Sequence, residues 1–414
     1  MSANQAVVRN RLFQRLFIAR TISNFGNGMG PTATAFAVFA LPGGDATLLS
    51  ILLTAQAIPL VALLPIGGVL ADRFGRARTI ATMDSILSVV VLTIATMFYF
   101  EVTNLAILIP LYALTGTLNA LWYPAYPGLP ADIIEEEHLQ VANSYIAFGS
   151  NIAMITGAAA GGLLVAFIGG PAAIAVDGLT FAIAGLVVWK LRHTSKRNEN
   201  PESTFQELKD GWKVFISYKW VVVVVAAFSF IVLAVRATEG VLGPLVAKET
   251  LGGAIGWSQV VAAESTGLLL GAIIASRWVP ARPIMAGMLI TGTATIFIWS
   301  LAAGLPLPLV MLAAVTWGIG METFMIWWIT ALQTNIPKES IGRVSAYDAF
   351  GSLLFGPIGL AIAGPAAVRF GTGPVLWVGG AIVLSAVLAS MLSKSVRELP
   401  SGSPEVAAES NSTN

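Results

Sequence analysis

The chain has 414 residues, 56% of them hydrophobic and 11% charged, with a formal net charge of +1. An ordinary soluble domain carries about 25% charged residues, so a solvated globule is excluded, and the near-neutral balance gives no reason to expect nucleic acid as a partner. Cysteine is absent, which removes disulfides, thiol catalysis and Cys-ligated metals; His138 and His193 lie in polar stretches, which argues against a histidine relay or metal cluster inside a membrane and predicts no metal or cofactor.

The apolar residues come in long blocks, and about 20 such residues cross a hydrocarbon core as a helix. In chain order twelve spans are predicted, at 17–40, 47–70, 80–99, 106–126, 142–168, 171–191, 219–243, 257–277, 283–303, 306–332, 345–367 and 374–392. The first lacks a small-residue cleavage site and reads as a retained span, not a signal peptide. Residues 1–190 then form one six-helix bundle and 219–395 another. The linker between them, 191–218, carries Phe205, Leu208, Trp212, Phe215 and Ile216 at helical spacing around Lys209, Asp210 and Lys213. That pattern suits a helix on the inner membrane surface or an ordinary solvated linker helix. Residues 396–414, rich in Ser, Pro, Glu and Asn, predict a disordered tail.

With the N-terminus in the cytoplasm, all but four of the 23 Lys and Arg fall on the inner side; Lys248 and Arg369 lie outside, Arg20 and Arg236 within spans. The bias of basic residues towards cytoplasmic loops predicts a multi-pass protein of the cell's inner (plasma) membrane with both termini in the cytoplasm. The segment Ser144–Ser150 at the start of span five matches Ala346–Ser352 at the start of span eleven, 202 residues later, and Trp122-Tyr123 falls near the position equivalent to Trp327-Trp328. Two parallel halves related by an axis along the membrane normal are expected, with a site near the midplane between them.

Between spans two and three the chain reads Gly68-Val69-Leu70-Ala71-Asp72-Arg73-Phe74-Gly75-Arg76-Ala77-Arg78. This resembles the signature loop of the major facilitator superfamily, Gly-x-x-x-Asp-Arg-x-Gly-Arg-x-Arg, and lies where that superfamily carries it. The resemblance implies an all-α membrane fold of twelve helices in two pseudo-symmetric six-helix bundles. It also implies a conformational latch made by Gly68, Asp72, Arg73, Gly75, Arg76 and Arg78 with Arg343 and Asp348 at the start of span eleven. The counterpart in the second half, Gly271–Arg277, has no acid, so a single latch is expected. Gly342–Asp348, Ala363-Gly364-Pro365 and Asp177–Phe181 look like the drug-exporter branch that includes macrolide and siderophore exporters. In span five Gly157, Gly161 and Gly162 keep part of an exporter motif whose Pro and first Gly are missing; small residues at this spacing let helices pack closely.

Ionisable residues in a span cost several kcal/mol unless they find a partner or a watery path, so each is a functional candidate. Arg20 is placed to snorkel, Asp84 and Asp348 sit near span starts, Asp177 suits a hydrogen bond between helices, and Arg236 and Glu239 are three apart on one helix and can pair. Glu264 and Glu322 have no basic residue at helical spacing. An acid held away from water favours its protonated form, so Glu264 and Glu322, with Glu239 and Arg236 behind them, are the proton or cation coupling candidates. Asn24, Asn27, Gln56, Asn119, Trp122, Tyr123, Asn151, Thr156, Trp327 and Trp328 are candidates for a substrate cavity, with hydrogen bonding or packing between helices as the competing reading.

The function these features predict is secondary active export of an amphipathic small molecule coupled to protons, by a monomer embedded in the lipid bilayer, through alternating access. Export of a siderophore or lipid is the alternative, followed by metabolite uptake and by a non-transporting sensor. No Gly-x-x-x-x-Gly-Lys-Ser/Thr loop occurs and no nucleophile or cofactor constellation is visible, so neither an ATPase nor another enzyme is expected.

Overall fold

Helices begin and end where local chemistry dictates. Asn10 opens the first long helix by accepting from the Leu12 and Phe13 amides at 2.9 and 3.2 Å, satisfying donors that a helix start leaves orphaned. Asn104 does the same for Ala106. Gly75, Gly169 and Gly371 have φ of +89°, +101° and +85°, a region that favours glycine, and each opens a new helix directly after another. The computed structural model describes residues 3–194 and 212–400; within these, the side chains of residues 3, 4, 65, 68–72, 136, 338, 339 and 343 are outside the description.

Among the described residues twelve long helical segments result: α1 (Arg11–Ala40), α2 (Ala46–Phe74), α3 (Arg76–Tyr99), α4 (Leu105–Trp122), α5 (Leu139–Ile168), α6 (Gly170–Trp189), α7 (Lys219–Thr250), α8 (Gly253–Arg277), α9 (Pro283–Ala302), α10 (Leu307–Asn335), α11 (Ser340–Phe370) and α12 (Thr372–Ser390). Among the described residues there are no strands. Eleven segments of the described residues are long and apolar enough to cross a membrane. The segment left out is α1, whose 30 residues are diluted by Gln14, Arg15, Arg20, Asn24 and Asn27. Three segments are interrupted: α9 at Gly292, α11 before Pro357, and α7 by a π-helical turn at Thr238–Leu242. Helix α4 ends at Trp122, four residues short of the expected end, because Pro124 and Pro127 supply no amide donor.

The chain divides into two compact units, Met1–Glu202 with Gly243–Ala262, and Ser203–Leu242 with Ala263–Asn414. The end of α7 and the start of α8 thus group with the first six helices. Lys248 Nζ donates to the Phe39 carbonyl at 3.4 Å and lies 5.0 Å from the Phe39 ring, and Gly162 of α5 admits Ser258 and Ala254 of α8. Of the linker, residues 195–211 lie outside the described residues and 212–217 are helical. The tail beyond residue 400 is outside them too.

Each unit is packed by glycines meeting a neighbour's backbone, and the two sets correspond. A Cβ on Gly157 of α5 would collide with the Phe25 carbonyl of α1, and one on Gly359 of α11, 202 residues later, with the Leu233 carbonyl of α7. Gly116 of α4 meets the Gln56 carbonyl of α2; Gly318 of α10, again 202 residues on, meets the Glu264 carbonyl of α8. The helix-start glycines Gly169 and Gly371 stand at the same offset. The sequence repeat is therefore also a repeat of helix-packing geometry, in which close backbone approach replaces the hydrophobic drive that lipid removes.

Candidate transport site

Glu239 and Glu264, from different helices, come together in the second unit. Glu239 sits in the π-helical turn of α7, a local expansion that re-aims side chains and recurs at functional sites. Its carboxyl lies within hydrogen-bonding reach of that of Glu264 on α8, and Arg236, one turn earlier on α7, is close enough to act electrostatically on both. Trp317 of α10 donates its indole Nε1–H to Glu239 Oε1 at 3.2 Å. Both acids are half-buried and Arg236 is exposed. Two carboxyls at this separation can share a proton.

Glu322 stands apart from this cluster: it is half-buried on α10, its Cβ pressed against Gly271 of α8, and it has no hydrogen bond or ion pair among the described residues. Asp348 is engaged, accepting from Trp328 Nε1 at 2.8 Å and Ser352 Oγ at 3.2 Å. Trp327 and Trp328 are each 3% exposed; Trp327 packs edge-on against Trp278, and Trp328 closes a column with Phe324, Phe228 and Trp220. Both are packed inside the unit and not open to a cavity.

In the first unit the residue the sequence undervalued is Arg20. It does not snorkel outward. Its guanidinium lies 3.9 Å from the Tyr126 ring centre and 4.6 Å from that of Trp122, two rings stacked 5.2 Å apart. Nη2 donates to Asn24 Oδ1 at 3.3 Å, while Nε and Nη1 are buried without a hydrogen-bond acceptor and rest on the aromatic faces. Asp84 of α3, 3% exposed, feels its charge. Asp177 of α6 is likewise buried, with Oδ1 unpartnered, and lies against Gly26 and Gly30 of α1.

The other polar candidates divide. Asn119 and Thr156 bond within their own helices, Asn27 and Gln56 are half-buried, and Asn151 and Tyr123 are exposed. Tyr123 meets Trp122 edge-on at 5.6 Å.

Of the expected latch, the side chains of Asp72 in the signature loop and of Arg343 in α11 lie outside the described residues. Arg76 is tied inward: Nη1 donates to the Gly128 carbonyl at 3.2 Å and pairs with Asp132 Oδ1 at 3.1 Å, and a Cβ at Gly128 would push its guanidinium aside. Arg73 and Arg78 are exposed. Asp132 and Gly128 were not singled out in the sequence, because no spacing rule links them to a loop about 50 residues earlier.

Residues 16–360 match the family model of the Major Facilitator Superfamily. The chain is 30% identical over 380 residues to the multidrug efflux pump Tap of Mycolicibacterium fortuitum, covering 87% of this chain and 90% of that one. It is 25% identical over 404 residues to the uncharacterized MFS-type transporter YfiS of Bacillus subtilis, covering 92% and 93%. Among solved structures it resembles the nucleoside transporter NupG, with a TM-score of 0.71 at 17% identity over 92% of this chain and 98% of that one. An auto-inhibited POT family peptide transporter gives 0.71 at 15% identity over 92% and 96%; at these identities both likenesses concern the fold alone. The helices, the signature loop and the family match together make this chain a multi-pass membrane transporter of the Major Facilitator Superfamily.

Proposed function

We propose that the chain exports amphipathic small molecules in exchange for protons, with the Glu239–Glu264 pair as the proton site. The observation that carries this reading is the close approach of two carboxyls on membrane-spanning helices, with Trp317 donating to Glu239 and Arg236 beside them. Such a pair holds one proton readily and resists losing it, because two bare carboxylates side by side repel. Exposed to one side it takes up a second proton; approach of Arg236 or of a cationic substrate favours release. The likeness to Tap supports efflux of drug-like molecules.

In proteoliposomes with an imposed pH gradient, Glu264→Gln and Glu239→Gln each lower gradient-driven efflux by about tenfold or more, the usual scale for losing a positioned proton-transfer group, while substrate counterflow persists. Gradient-driven efflux at the wild-type rate in both variants overturns the proposal. A panel of lipophilic cations, macrolides, siderophores and lysolipids in the counterflow assay identifies the substrate class.

We further propose that both termini and the linker are cytoplasmic, from the one-sided distribution of Lys and Arg. The chain's lack of cysteine provides a clean background for the test. A single cysteine at exposed His193 is reached by a membrane-impermeant maleimide only after cell lysis, and one at exposed Thr103 in intact cells; the reverse pattern contradicts the orientation.

A further inference from the structure

At the end of the second unit where α7 begins and α12 finishes, a cleft of about 530 Å³ opens between Lys219, Val222 and Val223 on one side and Ser393, Lys394 and Ser395 on the other, with Ile216 adding to the wall. The fold makes this cleft because a short helix, Lys394–Arg397, follows α12 and is anchored by fully buried Val396. Lys219 and Lys394 are exposed, and among the described residues neither has an ion pair and no carboxylate lines the cleft. Ser393 Oγ and Ser395 Oγ lie 2.8 Å apart.

The neighbouring helical stretch 212–217 is held by Phe215, which is 5% exposed and meets Tyr347 with ring centres 5.8 Å apart, while Trp212 and Ile216 are half exposed. A held segment with apolar side chains turned outward beside basic residues is the pattern of a membrane interface. The cleft thus has a cationic, hydroxyl-bearing rim, where a phosphate would meet lysines, and an apolar wall on the spanning helix. A free anion has no use for Val222 and Val223; a phospholipid has use for both parts.

We infer that this cleft binds an anionic phospholipid, with Lys219 and Lys394 on the phosphate, the serine hydroxyls donating to it, and an acyl chain along Val222, Val223 and Ile216. The leaflet from which the lipid comes rests on the cytoplasmic orientation proposed above; the binding itself does not, and maleimide labelling reads the orientation separately.

The test is native mass spectrometry of the full chain in neutral detergent, titrated with phosphatidylglycerol or phosphatidylcholine, for the wild type and the Lys219→Gln/Lys394→Gln variant. A basic side chain near a membrane surface contributes about a fivefold preference for anionic lipid, so the wild type retains phosphatidylglycerol over phosphatidylcholine and the double variant binds it roughly 25-fold more weakly. Both lysines are exposed, so the variant folds as the wild type does; Lys394→Gln alone, with about a fivefold loss, supplies a second reading. Equal retention by wild type and variant overturns the inference, as does equal binding of the two lipids. Displacement of phosphatidylglycerol by inorganic phosphate also overturns it, by making the cleft a site for free anions.

Discussion

A guanidinium resting on two aromatic faces exchanges hydration for the ring quadrupoles, worth about 2 kcal/mol or more when desolvated, and it still requires a counter-charge nearby. The acid within electrostatic reach of Arg20 is the buried Asp84, which makes no direct ion pair with it among the described residues. Removing one member of a buried charge pair leaves the other uncompensated, at about 3–5 kcal/mol, whereas removing both costs far less. Arg20→Gln and Asp84→Asn are therefore each expected to lower the thermal unfolding temperature in detergent more than the double variant does; additive losses would show that the two charges are independent. Sequence reasoning found Arg20 and Asp84 as charges in spans but not as partners, because the seat on Trp122 and Tyr126 depends on how α4 ends. The same holds for Glu239 and Glu264. Their residue types marked them as candidates, but Glu239 stands in a π-helical turn of α7, and no spacing within α7 announces its meeting with Glu264 of α8. Trp327 and Trp328, by contrast, have the residue type of a cavity wall and the burial of a core.

At the scale of the helix, most of the architecture was legible. The apolar blocks, proline stops and glycine breaks correspond to segments α1 to α12, with shifts at the ends where prolines or polar turns extend or cut a helix. Gly157 and Gly161 were read as packing residues and meet Phe25 and Met29 of α1; Gly162 turned instead to Ser258 of α8, a tertiary choice that spacing does not reveal. Adding a methyl where a glycine meets a backbone carbonyl forces helices apart, at about 1–3 kcal/mol. Gly157→Ala and Gly359→Ala should each lower the unfolding temperature by a few degrees, and Gly342→Ala, with open space around it, should leave it unchanged. If the three variants melt alike, the glycine contacts do not hold the helices.

At the scale of the molecule, the internal repeat places the chemistry asymmetrically. Gln56 and Glu264 occupy matching places, each presenting its carbonyl to a glycine of span four or ten, so the first half carries an amide where the second carries an acid. Gly28 of α1, which admits the Met154 carbonyl of α5, matches Arg236 of α7, which lies against Gly356 of α11. The duplication thus keeps the packing and concentrates the titratable groups of this site in one half.

The central claim is that protons cross with this pair of acids, and the most direct measurement is proton movement itself. Wild type and Glu239→Gln/Glu264→Gln protein are reconstituted in vesicles loaded with a pH-sensitive dye, and a lipophilic cation such as tetraphenylphosphonium is presented without an imposed gradient. The account predicts that the wild type moves protons against the flow of substrate, and that the double variant exchanges substrate with no change in dye signal. Proton movement at the wild-type rate in the double variant would contradict it.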